Sequence, residues 1–95
     1  MVEEDRVYSL DNLGFANGVR LYWSEVRQQH WLLFPEGALL LNHTAVAVLS
    51  LCDGDRDFDA IAQTLSTQYR DVDLNRVKKL LLQIVNRGLL INKTL

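Results

Sequence analysis

Strand-forming and helix-forming segments occupy separate halves of this 95-residue sequence. Three segments rich in β-branched, aromatic and leucine side chains come first, at residues 19–23, 30–34 and 38–41. Pro35 and Gly37 favour a tight turn between the second and third segments, so the three predict an antiparallel meander. Because strands and helices do not alternate along the chain, their order predicts an α+β fold rather than a parallel α/β sheet.

The second half predicts three helices, each preceded by a residue whose side-chain oxygen can accept a free backbone N–H. They are residues 43–52 after Asn42, residues 58–69 after Asp57, and a helix ending at Arg87 after Asp71 or Asp73. The first is apolar on nearly every side, which is typical of a central, buried helix. Three strands followed by three helices with tight turns predict a winged-helix-like assembly. The apolar residues 89–91 can then pack back on the domain as an extended segment.

The composition predicts one folded domain, which we assign to residues 19–95. Hydrophobic residues make up 48% of the chain and charged residues 23%, which is typical of a globular domain. Residues 1–18 are polar and lack a clear hydrophobic period. They predict a loosely held N-terminal arm.

Charge and cysteine content argue against several classes of protein. The net charge of −2 disfavours a nucleic-acid binder, which usually carries a basic excess. A single cysteine favours a reducing compartment. No apolar run approaches the roughly 18 residues of a membrane span, and the first residues are acidic where a secretory signal is basic. We therefore expect a cytoplasmic protein with neither a membrane nor a nucleic acid as its partner.

The residues predict no catalytic or metal-binding set. Cys52 falls in the apolar first helix, as expected of an inert core thiol, and His30 and His43 lie in different elements. The acidic run before the second helix starts like a calcium loop. However, Phe58 and Thr64 stand where that loop needs glycine and glutamate. We expect no enzyme, no metal and no cofactor.

The third helix carries a wider apolar surface than its own core requires. At about 100° per residue the apolar arc spans roughly 200°, about twice that of an ordinary surface helix. Val77, Leu80 and Ile84 are predicted to face the core. The remaining part of the arc, including one long aliphatic stem, is formed by Leu74, Lys78, Leu81, Leu82 and Val85. This part either packs on the sheet of the same chain or binds a partner.

The third predicted strand, residues 38–41, offers a second unpaired surface. In a meander one of its edges lacks a neighbour, and it carries neither the charge nor the proline that usually protects such an edge. Three outcomes are open. The domain covers the edge itself, a second copy pairs with it in a homodimer, or a partner peptide adds to it as a strand.

Four short motifs in a fixed order resemble those of the PqqD family of pyrroloquinoline quinone biosynthesis. They are WLLFPEG at 31–37, LNHTA at 41–45, LCDG at 51–54 and RGLL at 87–90. Each is weak alone, but the ordered set is specific, and the resemblance covers roughly residues 19–91.

This resemblance implies a recognition domain for ribosomally made peptides, with three strands and three helices, that acts as a chaperone and holds no cofactor. The family implies two partners, the precursor peptide PqqA and the radical S-adenosylmethionine enzyme PqqE. PqqE joins a Glu and a Tyr side chain of PqqA by a carbon–carbon bond. In related domains the peptide adds as a strand beside the third strand, against the third helix.

Carried onto this sequence, the resemblance predicts a peptide-binding site with two parts. Backbone groups of Leu39, Leu40 and Leu41 would pair with the peptide. The helix would supply an apolar surface and one cation, namely Leu74, Leu81, Leu82, Val85 and Lys78.

Two alternatives remain at the level of sequence. One is a winged-helix DNA-binding module, in which the third helix would enter the major groove through Arg76, Lys78, Lys79 and Arg87. The other is a structural subunit that only dimerises through the strand edge at residues 38–41.

Overall fold

The computed structural model describes residues 10–93 of the chain. Its strands and helices, in chain order, are β1 Leu13–Phe15, β2 Arg20–Ser24, β3 Gln29–Phe34, β4 Gly37–Leu41, α1 His43–Leu49, α2 Phe58–Gln68, α3 Leu74–Asn86 and β5 Leu90–Asn92. Strands β2, β3 and β4 form an antiparallel sheet in that order, and three helices follow. The predicted α+β fold is therefore confirmed.

The three-stranded sheet has one face toward the helices and one face away from them. Leu21, Leu32 and Leu39 lie opposite one another across the strands and pack toward the core, where Leu32 is fully buried. Side chains alternate between the two faces of a sheet, so the next row lies on the outer face. Tyr22 and Leu40 in that outer row are exposed.

A second, two-stranded sheet joins the ends of the described chain. β1 pairs antiparallel with β5, with Gly14 opposite Ile91, and it buries Leu13 and Leu90. The extended segment predicted after the third helix is thus confirmed as β5. Within the arm predicted over residues 1–18, the short strand β1 packs on the core, and residues 1–9 lie outside the described residues.

The predicted caps position the three helices. The side chain of Asn42 accepts the N–H of Ala45 at 2.8 Å, and Asp57 accepts that of Ala60 at 2.8 Å. Asp73 caps α3, whereas Asp71 lies in the turn before it with a φ of 54°. The first helix was predicted to reach Cys52, but α1 ends at Leu49.

The core lies between the three-stranded sheet and the helices, and Ala45, Val48 and Leu49 of α1 are buried in it. Fully buried side chains come from every layer, namely Leu32, Val48, Leu49, Ile61 and Leu81. Within residues 10–93, the helices are all too short or too polar to span a bilayer.

Candidate functional site

Within residues 10–93, strand β4 presents an open edge. Phe34 and Gly37 flank a two-residue turn, which makes them a hydrogen-bonded pair, and such pairs alternate along an antiparallel ladder. Leu39 and Leu41 therefore bond back to β3, while Ala38 and Leu40 direct their backbone N–H and C=O groups away from it. Among the strands of residues 10–93, β3 is the only neighbour of β4.

The neighbours of α3 at its two ends indicate which of its sides is turned toward β4. The guanidinium carbon of Arg87, just after α3, lies 5.9 Å from the ring centroid of Phe34 at the end of β3. At the other end of the helix, Arg76 lines a cleft together with His43, which follows β4. α3 therefore runs alongside β4 in the opposite direction.

The side of α3 toward β4 is a row of residues spaced by four, three and four. These residues, called here the α3 row, are Arg76, Leu80, Gln83 and Arg87. Leu80 is half-buried and packs against the core, while the other three are exposed. The spacing is visible in the sequence, and Leu80 was predicted to face the core, but nothing local shows which neighbour this side of the helix faces.

The predicted helix part of the site is corrected at Leu81. Its side chain is fully buried, with Val77 and Ile84 on either side of it in the core. The predicted core role of those two neighbours is confirmed. The sequence pattern alone does not show where the core-facing part of the apolar arc ends. In the structure this part includes Leu81 as well as Val77 and Ile84.

The other predicted helix residues lie on the opposite side of α3 from the α3 row. The Lys78 ammonium lies 5.5 Å from the ring centroid of Phe58, the first residue of α2. Lys78 is two residues from Arg76 and from Leu80, about 200° of rotation away. Leu74, Leu82 and Val85 share the Lys78 side. The structure therefore does not bring the predicted helix surface beside β4, since α2 occupies that flank.

A cleft opens at the carboxyl end of β4, between α1, the end of α2 and the start of α3. Its volume is about 350 Å³, and we call it the junction cleft. Val48, Leu65 and Val77 form its buried apolar floor. Its rim is polar and aromatic, and includes His43, Tyr69, Arg70, Asp71, Asp73 and Arg76.

The pKa values of two groups just after α1, Cys52 and Asp53, are shifted for structural reasons. Burial raises the pKa of the Cys52 thiol to about 12, and the nearby Asp53 carboxylate adds to that shift. The backbone N–H of Asp55 donates to Asp53 and lowers its pKa, with help from Arg56 at 3.3 Å. Within residues 10–93 no three His, Cys, Asp or Glu side chains are grouped as metal ligands would be. The acidic run forms a turn and a helix cap.

The cations of α3 do not share one surface. Arg87 lies over Phe34 on one flank, and Lys78 lies over Phe58 on the other. A helix that reads the major groove needs its cations and base-reading side chains on one accessible side. This distribution does not favour the DNA-binding alternative.

Comparison with known sequences identifies one family. Residues 29–90 match coenzyme PQQ synthesis protein D (PqqD). A protein named PqqA binding protein from Kluyvera intermedia is 44% identical over 57 residues, covering 60% of this chain and 62% of that protein. Another of the same name from Methylococcus capsulatus is 35% identical over 71 residues, covering 74% of this chain and 76% of that protein. The match to the Kluyvera protein thus spans about three fifths of its length.

A solved structure has the same fold. It is the solution structure of the PqqD part of Methylobacterium extorquens PqqCD, described as a functional, stand-alone recognition element for ribosomally synthesised and post-translationally modified peptides. It matches with a TM-score of 0.67 and 34% identity, covering 93% of this chain and 98% of that one.

Proposed function

This chain belongs to the PqqD family, and from that premise we propose that it is a peptide chaperone which binds the precursor peptide PqqA. Relatives named PqqA binding protein support the ligand. The single structural observation that carries the proposal is the open edge of β4 beside the α3 row. An open edge next to a helix is a surface on which an extended peptide can pair its backbone and bury alternate side chains.

The proposed mode of binding is strand addition to β4. Ala38 and Leu40 each offer one N–H and one C=O to the peptide, and Leu39 and Leu41 hold the strand in place through β3. On the helix side, Leu80 packs against alternate peptide side chains. Arg76 and Arg87, at the two ends of the α3 row, can bind peptide carboxylates.

We also propose that the bound peptide is presented to the radical S-adenosylmethionine enzyme PqqE for cross-linking of a Glu to a Tyr. In an added strand every second side chain points away from the groove, so the peptide can be held and displayed at the same time. The chain itself then has a binding role and no catalytic one. The complex would act in the cytoplasm, where ribosomes make the precursor.

Substitution of Leu40 by proline tests strand addition. Leu40→Pro removes an N–H that points to the open edge, where proline is tolerated in sheets, so the β3–β4 ladder should survive. We expect the affinity for synthetic PqqA, measured by calorimetry, to weaken at least about tenfold. The variant loses the hydrogen bond from the Leu40 N–H to the peptide, and with it the register of the added strand. The matched control is Leu40→Ala, which removes the side chain but keeps the N–H.

The two variants separate backbone pairing from side-chain contact. Strand addition predicts strong loss for Leu40→Pro and near-wild-type binding for Leu40→Ala, with both variants folded by circular dichroism. Equal affinity of folded Leu40→Pro and wild type for PqqA would contradict strand addition at β4. Absence of any binding by the wild-type chain would contradict the proposed function itself.

A further inference from the structure

The junction cleft is continuous with the proposed peptide site. Its first lining residue, His43, follows the end of β4 by two positions, and Arg76 belongs both to its rim and to the α3 row. Leu40 and His43 are three residues apart, at most about 10 Å along an extended chain. A peptide paired with Leu40 that continues past the end of β4 therefore reaches the cleft.

The shape and polarity of the cleft suit a side chain. Its volume of about 350 Å³ lies at the lower end of the range for small-molecule pockets, which is enough for one large residue. Val48, Leu65 and Val77 give it an apolar floor, and half-exposed Tyr69 adds an aromatic wall. Such a pocket favours a large aliphatic or aromatic group over a polar one.

The rim carries two arginines, Arg70 and Arg76, and two aspartates, Asp71 and Asp73. Within residues 10–93, neither Arg70 nor Arg76 forms an ion pair with a carboxylate. Asp73 also lies on the rim, but its carboxylate accepts the backbone N–H groups of Asn75 and Arg76 at the start of α3. The two guanidinium groups are thus available to an acidic residue that lies beside the group in the cleft.

We propose that the junction cleft is a selectivity pocket for one large apolar side chain of the precursor peptide, with a neighbouring peptide carboxylate bound by Arg70 and Arg76. This inference rests on the proposed function. Strand addition in the antiparallel sense, which pairs slightly better than the parallel sense, brings the segment on the N-terminal side of the paired residues to the cleft. The anchor residue lies in that segment.

The test combines a filled cleft with a shortened ligand. Ala47 lines the cleft and is half-buried, so Ala47→Leu reduces the space in it. Calorimetry would use synthetic PqqA and a series of PqqA peptides shortened stepwise from the N-terminus. For the wild type we expect a loss of about tenfold or more at the step that removes the anchor residue. Ala47→Leu should lose a similar factor with full-length PqqA and nothing further at that step.

Two more variants complete the test. One changes the cleft without adding bulk to the core, and the other removes a positive charge from its rim. Tyr69→Ala shortens the exposed wall of the cleft without adding volume to the core. It should weaken the binding of full-length PqqA but not that of the shortened peptide. Arg76→Gln should lower affinity a few fold and reduce the dependence of binding on salt concentration. Lys79→Gln is its matched control, because Lys79 is exposed on the same helix and does not line the cleft.

The outcomes distinguish this inference from the proposed function. If wild type binds full-length PqqA and Leu40→Pro abolishes binding, but folded Ala47→Leu and Tyr69→Ala bind it normally, strand addition stands and the selectivity pocket is rejected. Equal losses for the full-length and shortened peptides also reject the pocket. If the wild type binds no PqqA peptide, the proposed function fails first.

Discussion

At the scale of single residues, burial of the Cys52 thiol makes the stability of the fold depend on pH. Its pKa is about 12 in the folded chain against an ordinary value of 9.0. Between these values the unfolded chain loses the proton and the folded chain keeps it. The contribution of this thiol to stability is therefore complete below about pH 9 and falls as pH rises above it.

We expect the folding equilibrium constant to lose about a factor of ten for each pH unit between about 9 and 12 through this residue alone. The measurement is urea unfolding at a series of pH values for wild type and Cys52→Ala. Other groups titrate in both proteins, so the difference in slope isolates the thiol. Parallel slopes above pH 9 would show that the thiol ionises without unfolding.

Leu81 and Leu74 provide a residue-level test of the corrected helix arc. Leu81 is 0% exposed and Leu74 is 38% exposed on the same helix. Leu81→Ala should lower the free energy of unfolding by about 2–5 kcal/mol, because it leaves a cavity in the core. Leu74→Ala should cost less than about 1 kcal/mol. Similar losses in urea denaturation would contradict the assignment of Leu81 to the core.

At the scale of elements, α3 separates the domain into two flanks. One flank carries the α3 row toward β4, and the other carries Lys78 against Phe58 of α2. The sequence showed that the apolar arc of the helix is wide, and in the structure Leu81 and Val85 of this arc pack in or against the core. Periodicity gives the angle of each side chain around the helix axis, but it contains no information about which neighbour lies at that angle.

This division predicts opposite results for two leucines two positions apart. Leu80→Ala should weaken binding of PqqA several fold, because Leu80 is the apolar member of the α3 row. Leu82→Ala should leave the affinity for PqqA within about twofold of wild type, because Leu82 shares no contact with the proposed peptide site. Calorimetry on both variants, each normalised to the folded fraction, makes the comparison. A larger loss of affinity in Leu82→Ala than in Leu80→Ala would instead support the peptide-binding surface predicted from the sequence.

At the scale of the whole molecule, the β4 edge can serve only one partner at a time. A second copy and an added peptide would use the same backbone groups of Ala38 and Leu40. The homodimer that the sequence left open as one use of this edge and the proposed peptide complex are thus competing uses of it.

We expect saturating PqqA to give a complex of one chain and one peptide in sedimentation equilibrium, whatever the association of the free chain. Any self-association through β4 should decrease as peptide is added, by simple competition. The Leu40→Pro variant should lack both reactions. A complex that contains two chains and two peptides would place the dimer contact elsewhere, and self-association without peptide binding would favour a purely structural subunit.

Local rules determined the elements of this protein. Strand propensity, the Pro35 turn and the caps Asn42 and Asp57 each depend on residues within a few positions, so the order of strands and helices could be predicted. β1 was missed because a three-residue strand has too few side chains to show a period, and its pairing with β5 joins residues far apart in the chain.

The sequence alone therefore determined the order of the three main strands and the three helices, which side chains are apolar, and which family motifs are present. Only the tertiary structure decided which edge of the sheet stays open beside which side of α3. It also decided that Leu81 belongs to the core and that Arg76 reaches both the row and the cleft. The physical reason is range: hydrogen-bonding patterns and helical periods are local, whereas the neighbour on each flank is set by packing among segments distant in the chain.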